Sequence, residues 1–165
     1  MKNCIFFIYV LVFFVSASFS QTTEPPLDQS SILMQFKGTW EGEYGKDTLL
    51  TWRGDPIANN KGLYSYAKLT VKGNIIIESW TLIAYDTELK KVQWFEVLSG
   101  GIVLTYVGEF GSPTNLNLYL HSKTESERIV FKTLLHFRSA DMLEVTETDL
   151  ITGAVRNYVL KRISN

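Results

Sequence analysis

Apolar and polar side chains alternate along short segments of the chain from residue 37 to residue 162. Tyr, Trp, Phe, Val, Ile and Thr dominate these segments, a composition typical of β-strands. Turn-forming pairs such as Gly73-Asn74 and Thr152-Gly153 separate them. The pattern predicts ten strands, at 37–45, 47–54, 62–72, 74–85, 91–98, 102–110, 115–122, 127–138, 142–150 and 154–162.

Nearly all connections between these strands are too short for a crossover, so neighbouring strands are expected to pair antiparallel. The one longer connection is a loop at 55–61. An open sheet of this size would leave two bare edges, which closure into a barrel removes. We therefore expect an all-β fold, a single antiparallel up-and-down β-barrel with room for a small ligand. A sandwich or half-open sheet with a filled core is the alternative.

The N-terminal segment has the three-part organisation of a secretory signal peptide. A positively charged start precedes the apolar run Cys4–Val15, and Ser18 and Ser20 suit a cleavage site before Gln21. The run is shorter than the roughly 20 residues that a membrane-spanning helix needs. Residues 1–20 are therefore expected to be removed on export to the periplasm or the cell exterior.

After the signal peptide, an extended leader is expected at 21–27 and the barrel domain at 28–165. Asp28 is suited to cap a short helix that carries Leu33 and Phe36 on one side.

Composition argues against a disulfide, a lipid anchor and a nucleic-acid partner. The only cysteine is Cys4, and Gln21 follows the cleavage site, so neither a disulfide nor a lipid anchor is expected in the mature protein. Lys and Arg number 16 against 17 Asp and Glu, without a basic cluster, which argues against a nucleic-acid partner.

The alternation also indicates which side chains face the barrel interior. Matching apolar with apolar residues across neighbouring strands pairs residue 121 with 128. A two-residue turn at Thr152-Gly153 pairs residue 151 with 154. The residues then placed on the inner face of the last two strands are Leu143, Val145, Glu147, Asp149, Arg156, Tyr158, Leu160 and Arg162. Strands 62–72 and 74–85 mix apolar and polar residues on both faces, so their orientation stays open.

The two histidines do not predict a metal site. The register above places His136 level with residue 113, about 26 Å along the strands from His121. Both lie on the polar face, so they are interpreted as surface histidines, and no metal or other cofactor is expected.

Candidate catalytic groups are few, since the mature chain has no cysteine and no Gly-x-Ser-x-Gly motif. Glu78 and Glu96 flank Trp80 and Trp94 on adjacent strands, and the two acids would form a catalytic pair only if they converged. Otherwise this region is an aromatic wall, and Trp80 and Trp94 are candidate ligand-binding residues.

Gly38-Thr39-Trp40, at the start of the first strand and just after a short helix, resembles the opening motif of the lipocalin and fatty-acid-binding (calycin) superfamily. The resemblance implies that Trp40 closes one end of the barrel beneath a basic residue from the last strand, here Arg162. Closer still, the chain is similar to exported bacterial lipocalin-like families of uncharacterised function. The segments that carry this similarity are Phe36–Gly42, Ile83–Asp86, Tyr106–Glu109 and the pair Tyr158 and Arg162.

Arg156 and Tyr158 in the last strand are similar to the pair that holds a carboxylate in intracellular fatty-acid-binding proteins. They are therefore candidate ligand-binding residues for an anionic head group. The alternative is an ion pair within the scaffold, because the register places Asp149 opposite Arg156 and Glu147 opposite Tyr158.

The resulting hypothesis is an exported, lipocalin-like barrel that binds a small, mostly apolar molecule, with a possible negative charge on that molecule. A structural or interaction protein with a side-chain-filled barrel is the alternative, and an enzyme acting on a small hydrophobic substrate is a weaker one. The sequence leaves the ligand and the oligomeric state open.

Overall fold

A computed structural model of the protein describes residues 27–125 and 127–164. The expected signal peptide at 1–20 and nearly all of the expected leader lie outside the described residues. One short helix, α1 (Gln29–Leu33), continues into a 3₁₀ turn (Met34–Phe36). Ten strands follow: β1 (Gly38–Gly45), β2 (Thr48–Ile57), β3 (Gly62–Val71), β4 (Asn74–Asp86), β5 (Lys91–Leu98), β6 (Val103–Ser112), β7 (Asn115–His121), β8 (Ile129–Ser139), β9 (Met142–Asp149) and β10 (Val155–Ser164).

The strands form one closed barrel in which each pairs antiparallel with the next, and β10 closes onto β1. The prediction of an up-and-down barrel with a short N-terminal helix is thereby confirmed. Closure leaves no bare sheet edge, as the argument from edge strands required. The sandwich and the half-open sheet are both wrong.

The N-terminal helix is held against one end of the barrel. Asp28 caps it by accepting hydrogen bonds from the backbone N–H (3.1 Å) and the hydroxyl (2.6 Å) of Ser31. The Gln29 side-chain amide bonds both the carbonyl (3.1 Å) and the N–H (2.9 Å) of Phe110 on β6. These bonds seat Leu33 and Phe36 in the core, where both are buried.

The core lies at this helix-covered end. It is made of aromatic and aliphatic side chains from the helix and the surrounding strands: Leu33, Phe36, Trp40, Trp52, Leu63, Ile83, Val92, Phe110, Leu116, Leu118, Leu135, Phe137, Leu143, Val145 and Leu160. The opposite end of the barrel carries the β1–β2, β3–β4, β5–β6, β7–β8 and β9–β10 connections. Apolar packing therefore fills one end, and the interior opens toward the other.

Two strand pairs differ from the predicted registers by two residues. Leu116 pairs with Leu135 between β7 and β8, two residues beyond its predicted partner, and an irregularity after Leu120 brings His121 opposite Ile129 instead of residue 128. Between β9 and β10, the backbone N–H of Asp149 donates to the carbonyl of Ala154, so the loop is four residues long, 150–153, rather than the predicted two. The Asp149 carboxylate holds this loop by accepting the N–H groups of Ile151 and Thr152. A shift of two residues keeps every side chain on its face, so the predicted inner faces are right.

The connection between β2 and β3 is also shorter than expected. The chain stays in β2 as far as Ile57, and Pro56 pairs with Leu63. The turn itself is made by Ala58, Asn59 and Asn60, all with positive φ. The predicted loop at 55–61 is therefore wrong in its first three residues.

Candidate functional site

A cavity of about 460 Å³ occupies the barrel above the packed end. This lies within the range of about 300–1,000 Å³ found for small-molecule sites. Its wall is mostly apolar, with side chains such as Leu50, Leu69, Ile77, Leu98, Leu104, Leu118, Leu120, Phe131 and Leu135. The barrel interior is thus partly filled and partly a cavity.

Aromatic side chains form the floor. Phe36 packs edge-on against Trp52 and Trp94, with ring centroids 5.9 Å and 6.1 Å away. The Trp52 and Trp94 rings stack at 6.5 Å and 26°. Edge-to-face and offset-stacked pairs are the geometries that aromatic quadrupoles favour, so these contacts stabilise the floor.

A polar cluster on β1, β9 and β10 is built around the carboxylate of Glu147. This carboxylate accepts hydrogen bonds from the hydroxyls of Tyr158 (2.9 Å) and Tyr44 (3.2 Å) and lies 3.4 Å from the guanidinium of Arg156. The guanidinium also covers the Tyr44 ring at 4.4 Å. The side chain of Glu147 is 16% exposed and that of Arg156 is 52% exposed, so Arg156 lies at the solvent side of the cluster.

These contacts change the acidity of the tyrosines. Burial, together with the negative charge of Glu147, raises the pKa of Tyr44 to about 12. The same two causes raise the pKa of Tyr158 well above its ordinary value. Both hydroxyls therefore stay protonated at neutral pH and act as donors to Glu147.

A second polar group lies across the cavity on β4, β5 and β6. Glu96 lines the wall beside Ser79, Thr81 and Tyr106. Burial, and next the negative charge of Glu147, raises the pKa of Glu96, while a hydrogen bond with Ser79 opposes that shift. Burial and the charge of Glu96 raise the pKa of Tyr106.

The structure separates the two tryptophans that the sequence paired. Trp94 lines the cavity. Trp80 is 40% exposed on the outer face of β4, where it packs against Tyr66 with ring centroids 5.7 Å apart. The prediction that Trp80 contacts an interior ligand is wrong, because its neighbours Ser79 and Thr81 are the residues that point inward.

The two acids are separated in the same way. Glu78 lies on the outer wall, where it accepts a short hydrogen bond from the Tyr66 hydroxyl, whereas Glu96 lies inside. A barrel wall stands between them, so they do not form a catalytic pair.

Arg156 and Tyr158 both reach the cavity, but their partners differ from those predicted. Glu147, not Asp149, lies opposite Arg156, and Val145, not Glu147, lies opposite Tyr158. Asp149 is occupied instead by the N–H groups of its own loop. The predicted cross-strand ion pair therefore forms with a different acid.

At the packed end, the guanidinium of Arg162 lies 4.4 Å from the centroid of the Trp40 ring. This is the arrangement that the resemblance implies. Trp40 is fully buried and its indole N–H donates to the Phe36 carbonyl at 3.1 Å. Gly38, with φ of 102°, lets the chain turn from the 3₁₀ segment into β1 without the strain a side chain would add.

The histidines lie apart from one another. His136 pairs with Asn115, not with residue 113, and its Nδ1 lies 2.6 Å from the Asn115 side-chain oxygen. Among residues 27–125 and 127–164, no group of three or more His, Cys, Asp or Glu side chains is placed to hold a metal ion.

Tyr44, Tyr106, Ser79 and Thr81 line the cavity although the sequence did not single them out as site residues. The alternation of side chains along β1 could have indicated that Tyr44 faces the interior, because it lies on the same face as Trp40. Ser79 and Thr81 gave none, because small polar residues on a strand ordinarily indicate its solvent face.

No protein-family model matches the chain, and no curated protein sequence matches it. The fold is consistent with a calycin-like barrel. In the described part of the chain, no helix combines the length and apolar character needed to cross a membrane.

Proposed function

We propose that this protein is an exported, lipocalin-like barrel that binds a small, mostly apolar molecule in its interior. The observation that carries the proposal is the cavity of about 460 Å³, with an aromatic floor and a largely aliphatic wall. Binding apolar surface there removes it from water at both the ligand and the wall. A barrel serving only as a scaffold needs no such space.

The family and the location are parts of the same proposal. Gly38-Thr39-Trp40 followed by Arg162 over the Trp40 ring supports a lipocalin-like ancestry. The charged, apolar and small-residue segments at 1–20 support export. Arg156 and Tyr158 belong to the cavity wall, but Arg156 already has Glu147 as its counter-ion, which weakens the case for an anionic ligand.

A fluorescence titration with the neutral probe N-phenyl-1-naphthylamine tests the proposal on the mature protein. Ala67→Phe fills part of the cavity, because Ala67 lines it, and should weaken probe binding at least tenfold, about 1.4 kcal/mol. Ala84→Phe adds the same ring at an exposed position outside the cavity and should leave binding unchanged. Absence of probe binding, or equal affinity of both variants, would contradict an interior site.

A further inference from the structure

Glu96 is a carboxyl group built into the wall of the cavity. Cross-strand pairing aligns it with Thr81 on β4, and Thr81 in turn with Ser65 on β3. Ser65 and Thr81 are buried, and Glu96 is half-buried. In the part of the chain that the structure describes, no ion pair includes Glu96.

The hydroxyl of Ser65, at the end of this row, is buried and has no hydrogen-bond partner among the described residues. Buried polar groups in proteins are ordinarily paired, and an unpaired one calls for an explanation. Ser65, Thr81 and Glu96 thus form a polar strip across three strands, in which the Ser65 hydroxyl leaves its bonding capacity unused.

The charge inside the cavity is dominated by acids. Glu147 on β9 reaches the interior from nearly the opposite side of the ten-strand barrel, and its charge acts on Glu96. Among the described residues that line the cavity, Arg156 is the one cation with an inward side chain, and it is half-exposed and paired with Glu147. Lys68 contributes to the lining between the inward residues Ala67 and Leu69, and strand alternation points its side chain outward.

Aromatic faces lie next to these acids. Trp94 and Tyr106 are cross-strand neighbours on β5 and β6 and both line the cavity, as Tyr44 does. An aromatic ring attracts a cation over its face, and the attraction is strongest where water is excluded. A carboxylate together with such rings is a chemical environment that favours an organic ammonium group.

We propose that the ligand is an apolar molecule carrying a cationic amine, and that Glu96 is its counter-ion inside the barrel. This inference rests on the proposed function. The amine donates to the Glu96 carboxylate, the hydroxyls of Ser79 and Thr81 complete its shell, and the apolar remainder covers Trp94 and the aliphatic wall. The burial that raises the pKa of Glu96 also means that a bound ammonium group restores its ionised form.

Three probes with the same ten-carbon chain and different head groups test this: decylamine, decanol and decanoate, each below its micelle concentration. Their affinities are measured by displacement of N-phenyl-1-naphthylamine. Decylamine should bind at least tenfold more tightly than decanol, about 1.4 kcal/mol, and decanoate should bind most weakly. Decylamine binding should also weaken as the pH falls and Glu96 becomes protonated.

Glu96→Gln should remove the preference for decylamine and leave decanol affinity within about twofold. Glu78→Gln, which changes the acid on the outer face of the wall, is the matched control and should keep the preference. Should Glu96→Gln fold poorly, the pH dependence of decylamine affinity in the unmodified protein replaces it, with decanol as the reference.

Equal affinity for decylamine and decanol, with the neutral probe still bound, would overturn the amine proposal and leave the binding function standing. Tightest binding of decanoate would overturn it as well, and would restore Arg156 as the anchor of an anionic head group. Failure of the neutral probe and all three amphiphiles to bind would overturn both proposals.

Discussion

The guanidinium of Arg162 covers the indole ring of Trp40, 4.4 Å from its centroid, at the seam where β10 closes onto β1. The same guanidinium donates to the carbonyl of Ala140 in the β8–β9 turn at 2.7 Å and to that of Gln35 at 2.8 Å. The side chain of Arg162 is only 12% exposed. One side chain therefore ties the last strand, the β8–β9 turn and the segment before β1 to the buried tryptophan.

Trp40→Ala should lower the free energy of unfolding by about 3–5 kcal/mol, the range for deleting a large buried aromatic side chain. Trp40 is fully buried, and its ring packs against Phe137 with centroids 6.0 Å apart. Urea denaturation followed by far-ultraviolet circular dichroism measures the change. A loss below about 1 kcal/mol would show that Trp40 does not hold the barrel end together.

Gly108→Ala should destabilise the barrel by about 1–3 kcal/mol, the usual cost of overpacking, or more if the strands cannot separate. A methyl group at Gly108 would overlap the backbone carbonyl of Asn117 on the neighbouring strand, which cannot rotate away as a side chain can. Gly45→Ala is the control, because no atom lies within 4 Å of the added methyl group. Equal midpoints of urea denaturation for the two variants would contradict this explanation.

The sequence was sufficient for the topology because short connections and long alternating segments leave closure as the way to remove sheet edges. Alternation also identified the inner faces of β7 to β10, where Leu118, Leu143 and Val145 are apolar and buried. The exact registers were out of reach, since they depend on side-chain bonds in the loops. Asp149, for example, holds the N–H groups of Ile151 and Thr152 and so lengthens the β9–β10 loop.

The orientation of β4 could not be predicted because its pattern is inverted. Ser79 and Thr81 point inward, while Trp80 and Leu82, 40% and 51% exposed, face solvent. A rule that assigns apolar side chains to the interior therefore places Trp80 wrongly. The two inward hydroxyl side chains lie beside Glu96 on the cavity wall, and departures of this kind from the apolar rule are expected at functional sites.

Ser65→Ala should leave the fold unchanged and raise the free energy of unfolding by about 1 kcal/mol. The Ser65 hydroxyl is buried without a hydrogen-bond partner in the described part of the chain, and burying an unpaired polar group costs roughly 1–3 kcal/mol. Removing it replaces that cost with a small apolar contact. Urea denaturation is again the measurement, and a destabilised Ser65→Ala would indicate that a partner such as an ordered water satisfies the hydroxyl.

Glu96 should make the folded protein less stable as the pH rises, whereas an acid in a salt bridge makes a protein more stable as the pH rises. Burial and the charge of Glu147 raise its pKa above the ordinary value of 4.5. Below pH 4.5 the carboxyl is protonated in both the folded and the unfolded state. As the pH rises from there through the raised pKa, the folded state retains the proton longer, so the free energy of unfolding falls.

Glu96→Gln removes this titration and keeps the shape of the side chain. The variant and the unmodified protein should therefore have similar stability below pH 4.5, and the variant should become the more stable of the two as the pH rises. The difference between their free energies of unfolding, measured in urea from about pH 4 to about pH 8, isolates Glu96 from the other titrating groups, because those are common to both proteins. A constant difference, or one that grows in favour of the unmodified protein, would mean that Glu96 is ionised and satisfied in the folded barrel before any ligand binds.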